Sequence, residues 1–425
     1  MRVFLAGMAM LLPCEVGAQG ETKPQDGGSA VEISPRPGAR PEGLDTTPTP
    51  KPVNLGFQRW IKGFKARAQA KGIPESVITA AFDGVRYNDE VIARDRNQSE
   101  FTKAIWDYLD SAVSLKRIEN GQAAMLEHGD LLGRIEEAYG VPAEVVTAVW
   151  GMETSYGSFR GGRDLVESLA TLAYDGRRGA FFEAQLVAAL EILAAGDVPP
   201  RQMTGSWAGA MGHTQFIPTS YLLYAVDFTG DGKRDIWGED PADALASTAA
   251  YLAKAGWQEG RPWGIEVRLP KGFDYALAGT SRKAAADWAG MGILTAQGEP
   301  LPDHGPSELK LPAGARGPAL LAYQNFKVIS RYNAADTYVI GVGHLSDRIR
   351  GGVPFVSEWP REDRALNSAE RKELQGLLQE AGFEPGGIDG KIGPRSKAAL
   401  RAYQAKIGVV PDGFASYTLL QKMRR

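Results

Sequence analysis

Apolar residues recur every three or four positions over much of the chain, which is typical of amphipathic helices. Clear examples are FQRWIKGFKARAQAKG at 57–72, PESVITAAFDG at 74–84, AAMLEHGDLLGRIEEAYG at 123–140 and AFFEAQLVAALEILAAG at 180–196. GIEVRLP, at 264–270, predicts one strand. Residues 53–355 are therefore predicted to form a mainly α domain with a small β element.

A second, smaller domain is predicted at residues 367–425. Three short helical patterns, SAERKELQGLLQEAGF, PRSKAALRAYQAKIG and FASYTLLQKMRR, are joined by turns rich in glycine. About sixty residues are near the lower limit for independent folding. Residues 356–366, within GGVPFVSEWPREDRALN, are predicted to link the two domains.

The first fifty residues carry no helical pattern of this kind. Residues 1–18 place one basic residue before a short apolar run and end in VGA, which predicts a cleaved signal peptide and export to the periplasm. The lone Cys14 leaves a lipid anchor open, as well as an incidental cysteine in a removed segment. Residues 19–52 are rich in Pro, Gly and Thr and predict a flexible tether.

Composition excludes several classes of function. The chain has 425 residues and a net charge of −3, which gives no support for nucleic-acid binding. Its four histidines are scattered and it has one cysteine, so no cluster of His and Cys metal ligands is evident and no disulfide can form within the chain.

One acid lies at the end of an apolar run. GVPAEVVTAVWGM, at 140–152, predicts a helix with Pro142 in its first turn and Gly157 as its stop. Glu153 falls beside the apolar face and close to the negative helix end, and both features disfavour its charged form. A raised pKa suits a general acid. The alternative is a partly buried, hydrogen-bonded glutamate.

The segment GSWAGAMGHTQFIPTSYLLY, at 205–224, suggests a sugar-binding surface. Its glycines let the backbone approach a ligand, and neutral hydrogen-bonding groups such as Ser206 and Gln215 lie among aromatic residues. Sugars need partners for their hydroxyls and present apolar ring faces. The alternative is a Gly-rich turn before a core helix.

DFTGDGKRDIW, at 227–237, resembles part of a calcium loop. Asp227, Thr229 and Asp231 occupy its first, third and fifth positions, but Gly238 replaces the glutamate expected at the twelfth. Asp243 could supply a carboxylate if the loop is longer. An Asp/Gly turn without metal is the alternative.

Further along, Tyr332 and Asn333 mark a break before a helix. Asn333 is most simply a helix cap or turn residue, although its amide could also point into a cleft.

Together, VWGMETSYG, GSWAGAMGHTQFIPTSY, DALASTAAYLAKAGW and NFKVISRYNAADTY resemble the successive motifs of lytic murein transglycosylases of the membrane-bound transglycosylase B family. The resemblance covers roughly residues 57–349 and implies a lysozyme-like fold. LQGLLQEAGF, GGIDGKIGPRSKAALRAYQAKIG and DGFASYTL are similar to the small peptidoglycan-binding domain.

This resemblance implies roles for individual residues. Glu153 falls on the catalytic glutamate. The positions implied for glycan contact or cleft shape are Ser206, Gln215, Tyr251, Tyr332 and Asn333, and those implied for structural calcium are Asp227, Thr229, Asp231 and Asp243. His213, Thr214 and Ile217 depart from the family pattern, and the segment before Asp243 is two residues longer.

The resemblance also implies a reaction on peptidoglycan glycan strands. Glu153, as the single general acid and base, would cleave the bond between MurNAc and GlcNAc without water and leave 1,6-anhydromuramoyl ends. No cofactor is required for this chemistry, and proteins of wall synthesis or remodelling are expected partners. The alternatives are a hydrolytic muramidase, with Glu167 or Glu183 as its second carboxylate, and a non-catalytic peptidoglycan-binding scaffold.

Overall fold

The computed structural model describes residues 53–97 and 103–425. The predicted signal peptide, Cys14 and the predicted tether lie outside the described residues. Helices dominate, as the apolar spacing predicts. In the first part of the chain they are α1 (Leu55–Ala70), α2 (Glu75–Ala81), α3 (Asp89–Arg96), α4 (Ile105–Ala112), α5 (Leu115–Glu127), α6 (Gly129–Tyr139) and α7 (Ala143–Thr154).

The middle of the chain continues the helical domain and the C-terminal residues form a separate group. The middle helices are α8 (Leu165–Asp175), α9 (Gly179–Ala195), α10 (Pro218–Tyr224), α11 (Ala242–Lys254), α12 (Ala285–Gly290), α13 (Gln324–Tyr332) and α14 (Asp336–Ile349). The C-terminal helices are α15 (Ser368–Glu380), α16 (Pro394–Lys406) and α17 (Tyr417–Met423). Within the described residues, no helix is both long and apolar enough to cross a membrane.

The β structure is larger than the single predicted strand. Two short strands, β1 (Arg163–Asp164) and β2 (Thr204–Gly205), pair antiparallel. The others, β3 (Gly264–Arg268), β4 (Leu294–Thr295), β5 (Glu308–Lys310) and β6 (Ala319–Ala322), form an antiparallel sheet in the order β4-β3-β6-β5. The predicted strand is β3. The other strands have two to four residues, too few to show an alternating pattern.

Helix α7 lies between two hydrophobic cores. Val146 and Trp150 belong to a core shared with α8, α9 and α11, whereas Ala148 and Val149 belong to a core shared with α4, α13 and α14. A smaller core covers one face of the sheet around the fully buried Trp288. The last residue of α7, Thr154, is therefore held at the meeting point of two packed layers.

Helix α7 begins and ends slightly differently from the prediction. Pro142 is its N-cap rather than a residue of its first turn, and the helix ends at Thr154, before the predicted stop at Gly157. Ser155 and Tyr156 already adopt positive φ angles of 50° and 60°. The Tyr156 ring packs where a side chain on Gly151 would lie, and its hydroxyl donates to the Arg117 carbonyl at 2.7 Å. This tertiary contact, rather than glycine, ends the helix.

The segment predicted as a linker is fastened to the large domain. We call residues 354–363 the strap. Its Val356 and Ser357 amides donate to the Glu266 carboxylate at 2.7 and 2.8 Å, and Arg361 makes two hydrogen bonds with Asp110 at 2.7 and 2.8 Å. These contacts hold the strap in place, whereas a free spacer would leave the two domains independent.

The C-terminal helices have their own core and also contact the large domain. Their buried apolar residues are Leu366, Leu374, Leu378, Ala399, Leu400, Leu419 and Leu420. The Asp412 carboxylate accepts a hydrogen bond from the Ala315 amide at 2.8 Å, and the Thr418 amide donates to Asp363 at 3.1 Å. A side chain on Gly314 would overlap Asp412, so this glycine permits the close approach.

Candidate active site

Glu153 lies in the last turn of α7 with its side chain half-buried. The hydroxyl of Tyr338, in the first turn of α14, donates a hydrogen bond to Glu153 Oε1 at 2.5 Å. Burial raises the pKa of Glu153 to about 7, because the charged form loses hydration, and the Tyr338 hydrogen bond offsets part of this rise. The direction is the one expected from the sequence. Such a carboxyl group exchanges a proton readily near neutral pH.

Tyr338 is a site residue that the sequence reasoning missed. It closes the motif NFKVISRYNAADTY, where it received no role. Its ring is buried against α7, and burial together with the nearby Glu153 carboxylate raises the pKa of its hydroxyl well above the ordinary value. It therefore stays protonated and acts as a hydrogen-bond donor. Its position in the first turn of a helix that follows a chain break was the available signal.

Tyr108, from α4, adds a second hydroxyl to this region. It is buried and its oxygen has no hydrogen-bond partner within the described residues. Burial, and then the Glu153 carboxylate, raise its pKa. The neighbourhood of Glu153 is thus built from apolar groups and neutral hydroxyls, and no cationic side chain of the described residues forms an ion pair with the Glu153 carboxylate.

Asn333 lies just before the helix that carries Tyr338. It is the C-cap of α13, and its side-chain oxygen accepts a hydrogen bond from the Ala335 amide at 3.0 Å. The sequence predicted the break correctly, but α14 begins three residues later, at Asp336. Within the described residues the Asn333 side-chain amide donates no hydrogen bond, so its N–H groups remain available to a ligand.

The rings of Tyr251 and Tyr332 pack together, and their hydroxyls are bonded to the backbone. Their ring centroids are 5.0 Å apart, and both pack against Phe216. The Tyr251 hydroxyl donates to the Arg331 carbonyl at 2.6 Å, and the Tyr332 hydroxyl donates to the Thr214 carbonyl at 2.5 Å. Both hydroxyls thus hold the backbone in place. The two tyrosines shape the site by supporting the segments around it.

Ser206 and Gln215 belong to one tightly connected loop. The Ser206 hydroxyl accepts from the Ala210 amide at 3.1 Å, so it stabilises the turn at 206–210. Gln215 adopts a positive φ of 55°, and its side-chain amide donates to the carbonyls of Arg160 and Gly212 at 3.1 and 2.9 Å. Gln215 therefore uses its N–H groups internally, which leaves its carbonyl oxygen as the group for a ligand.

The unusual His213 joins this loop to the end of α7. Trp150 donates to its Nδ1 at 3.2 Å and its Nε2 lies 2.8 Å from the Gly238 carbonyl, which assigns the proton to Nε2. Burial lowers the pKa of His213, so the ring is neutral. The Thr154 hydroxyl also donates to the His213 carbonyl at 2.6 Å. His213, which departs from the family pattern, therefore has a structural role: it connects the 206–216 loop to the end of α7.

The predicted calcium residues come together in a loop and the first turn of α11. Carboxylate oxygens of Asp227, Asp231 and Asp243 lie within 4.8 Å of one another. Asp243 is buried and accepts hydrogen bonds from the amides of Phe228, Thr229 and Asp235 at 2.9–3.1 Å. Three carboxylates in a small space fit Ca²⁺, which prefers oxygen ligands.

The other residues of that pattern differ. The Thr229 hydroxyl donates to Asp227 at 3.3 Å, so it faces the cluster. Asp235, at the ninth position of the pattern, instead accepts from the amides of Trp237 and Gly238 at 2.8 and 2.9 Å. Asp235 therefore caps the end of the loop and lies outside the carboxylate cluster.

The two acids considered as a second catalytic carboxylate are engaged elsewhere. Glu167 accepts hydrogen bonds from the Asn88 side chain at 2.8 Å and from the Arg86 amide at 3.2 Å. Glu183 forms a two-point pair with Arg67 of α1, with both distances 2.9 Å. Neither carboxylate is hydrogen-bonded to Glu153, which instead accepts a hydrogen bond from Tyr338.

Two family models match the chain. The transglycosylase SLT domain matches residues 56–347, and a peptidoglycan binding domain matches residues 367–423. Membrane-bound lytic murein transglycosylase B of Escherichia coli K12 is 33% identical over 249 residues, which are 57% of this chain and 66% of that protein. The aligned part is thus just under two thirds of the curated relative.

Solved structures extend the similarity. SltB3 from Pseudomonas aeruginosa in complex with NAG-anhNAM-pentapeptide is 48% identical, with a TM-score of 0.84, over 87% of this chain and 99% of that chain. Escherichia coli Slt35 in complex with calcium is 28% identical, with a TM-score of 0.59, over 70% of this chain and 93% of that chain. The first covers both domains of this chain.

Proposed function

This chain belongs to the transglycosylase SLT family, and on that basis we propose that it cleaves the bond between MurNAc and GlcNAc in peptidoglycan without using water. The observation that carries the proposal is Glu153, a half-buried carboxyl group with a pKa raised to about 7 and a tyrosine hydroxyl 2.5 Å away. Its relative SltB3 has been crystallised with NAG-anhNAM-pentapeptide, which contains an anhydro sugar.

The first step needs a protonated acid. Glu153 gives its proton to the glycosidic oxygen, and the bond between that oxygen and the MurNAc C1 breaks. The positive charge that develops at C1 is shared with the 2-acetamido group of the same sugar. The Tyr338 hydroxyl, which stays protonated, then stabilises the new Glu153 carboxylate through its hydrogen bond.

The second step returns the proton. The Glu153 carboxylate removes the proton from the C6 hydroxyl of the same sugar, and the C6 oxygen forms a bond to C1. The product is a 1,6-anhydro sugar, and Glu153 is protonated again, so the cycle consumes no water and needs no second carboxylate. This agrees with the engagement of Glu167 by Asn88 and of Glu183 by Arg67.

Neutral side chains would orient the substrate. The Asn333 side-chain N–H groups and the Gln215 side-chain oxygen are suited to the acetamido and hydroxyl groups of a sugar. Ser206 contributes through the turn that it stabilises. Tyr251 and Tyr332 hold the backbone beside these groups, through hydrogen bonds to the carbonyls of Arg331, near Asn333, and of Thr214, next to Gln215.

Two further parts of the chain support this function. Asp227, Asp231 and Asp243, with Thr229 beside them, would hold a structural Ca²⁺ that fixes the loop to α11. The C-terminal domain would hold the enzyme on the cell wall. Residues 1–18 would direct export to the periplasm, either as a soluble protein or with a lipid on Cys14, and proteins of wall synthesis remain predicted partners.

Digestion of purified sacculi tests the proposal directly. Wild-type protein should release products one water lighter than the corresponding reducing-end fragments, and Glu153→Gln should release none. Glu167→Gln and Glu183→Gln are matched controls that should keep the activity. Products with ordinary reducing ends would instead identify a muramidase, and sacculus binding without any release would identify a scaffold.

A further inference from the structure

A cavity lies beneath the strap, away from Glu153. The strap, α4 and the second half of α14 enclose about 580 Å³, which is in the usual range for small-ligand pockets of roughly 300–1,000 Å³. Along α14, Arg348 at the cavity is ten residues from Tyr338 at the active site, a rise of about 15 Å. The cavity is therefore separate from the site already described.

Arg348 is the unusual member of the cavity lining. Its Nε is buried and has no hydrogen-bond partner, and within the described residues its guanidinium forms no ion pair. The two terminal nitrogens have no hydrogen-bond partner among the described residues and are not fully buried, and the side chain lines the cavity. A half-buried cation without an acceptor is costly, and a carboxylate ligand offers the planar, two-point acceptor that arginine prefers.

The charged neighbours do not neutralise Arg348. Asp110 is committed to Arg361 by two hydrogen bonds, and both side chains are exposed. Glu358 also lines the cavity; it is exposed and forms no ion pair within the described part of the chain. His344, on the same face of α14, is neutral because burial and the Arg348 charge lower its pKa to about 4. Among the charged lining residues, Arg348 and Glu358 are thus the two without an ion-pair partner in the described residues.

Aromatic rings supply the remaining walls. The His344 and Phe355 rings stack with centroids 4.1 Å apart, and Phe355 also contacts Trp359 edge-on at 5.8 Å. These rings offer apolar surface between Arg348 and Glu358. A ligand that matches this order carries a carboxylate, a short apolar portion and an amino group, which is the chemistry of a short peptide.

We propose that the strap cavity binds a free carboxylate of the peptide stem of peptidoglycan, with Arg348 as the anion-binding residue. This inference rests on the proposed function, because that function brings the stem peptide to the protein. The strap leads into the C-terminal domain, whose first helix, α15, begins at Ser368. The cavity is thus lined by the large domain and by the segment that joins it to the C-terminal domain.

Binding of a free synthetic stem pentapeptide, without sugar, separates this inference from the reaction. Calorimetric titration should show binding to the full chain, and binding to Arg348→Gln should be about tenfold weaker or more. Arg350→Gln is the matched control. It removes the same charge from an exposed residue two positions away that pairs with Glu144 and Asp347, and it should bind like wild type.

A second measurement locates the peptide. In a ¹H–¹⁵N spectrum, the Arg348 Nε signal, assigned by its loss in Arg348→Gln, should move on addition of the pentapeptide and stay in place with acetate or phosphate at equal concentration. The inference is wrong if wild type digests sacculi but does not bind the peptide, if folded Arg348→Gln binds it equally, or if the simple anions move the signal equally. Failure to digest sacculi bears on the reaction alone.

Discussion

The Tyr338 hydroxyl lies 2.5 Å from Glu153 Oε1 and donates to it, across the contact between α14 and α7. This hydrogen bond favours the carboxylate, whereas burial favours the neutral acid. Burial has the larger effect, and the pKa of Glu153 is therefore raised to about 7. A group that must donate a proton and then accept one benefits from such a balance.

Replacing Tyr338 by phenylalanine should upset this balance. Loss of a hydrogen bond to a charged acceptor should raise the pKa of Glu153 by about one further unit. The alkaline limb of the pH profile of kcat/KM, which reports the protonated acid, should shift upward by the same amount, while the activity at the optimum falls. Steady-state assays on a soluble glycan between pH 5 and 9 measure both effects.

Tyr323→Phe provides the matched control for this variant. Tyr323 is also buried, but its hydroxyl has no hydrogen-bond partner in the described residues. Its pH profile should coincide with that of wild type. An unshifted alkaline limb in Tyr338→Phe would show that the hydrogen bond does not tune Glu153.

The raised pKa also makes Glu153 a source of instability at high pH. Between pH values of about 4.5 and 7 the folded protein holds a proton that the unfolded chain has lost. Stability from this group is therefore lost as the pH rises through that window. Glu153→Gln does not undergo this loss. Its free energy of unfolding, relative to that of wild type, should therefore rise by roughly 1–3 kcal/mol from pH 5 to pH 8.

Urea unfolding of both proteins at several pH values measures this gain. Glu183→Gln, which removes a surface carboxylate paired with Arg67, should not reproduce it. If the stability difference between Glu153→Gln and wild type is the same at pH 5 and pH 8, the pKa of Glu153 is close to that of an ordinary glutamate.

The acidic cluster predicts a calcium-dependent melting temperature. Ca²⁺ at about a hundred times its Kd should stabilise the wild type by about 2.7 kcal/mol, and a chelator should remove the effect. Asp231→Asn should lose this stabilisation by Ca²⁺. Its melting temperature in the presence of chelator should stay close to that of wild type, because Asp231 is exposed and accepts a hydrogen bond from only one nearby amide. Asp243→Asn should also be less stable without metal, because its carboxylate accepts three amides.

Asp240→Asn is the charge-matched control for the metal. Asp240 is exposed and lies outside the cluster, where it accepts a hydrogen bond from the Ala242 amide. It should keep the full calcium response in differential scanning calorimetry. If Asp240→Asn and Asp231→Asn lose the stabilisation by Ca²⁺ equally, the response reflects the loss of negative charge in general and not a specific metal site.

Deletion of residues 367–425 should separate wall binding from cleavage. The C-terminal helices have their own core, and the cores around α7 contain none of their residues. Binding to sacculi in a sedimentation assay should fall about tenfold or more, while cleavage of short soluble glycans persists. Since the contacts of Asp412 and Thr418 are lost, a small drop in melting temperature is expected. Parallel loss of both activities would contradict a tethering role.

The sequence predicted the helices and Glu153 because both leave local signals. Helical spacing repeats over many residues, and a lone acid in an apolar run stands out at one position. Tyr338 left a weaker signal, because its role comes from a contact 185 positions away in the chain. The fastening of the strap by Glu266 and Asp110 also depends on tertiary contacts, which the sequence of this short segment between two helical domains does not show.

The hydroxyls of Tyr251 and Tyr332 show a different limit. The sequence placed both tyrosines at the cleft, for glycan contact or cleft shape, but residue type does not show where a hydroxyl points. Only the packed structure shows both hydroxyls turned to the carbonyls of Arg331 and Thr214.

Helix α7 packs into two cores at once, with Val146 and Trp150 on one side and Ala148 and Val149 on the other. Neither core can open alone without exposing one side of this helix. Its backbone amides should therefore be among the slowest in the protein to exchange with deuterated solvent, because exchange requires cooperative unfolding of the domain. The carboxyl group that changes its protonation twice in each cycle is thus carried by one of the least mobile segments of the chain.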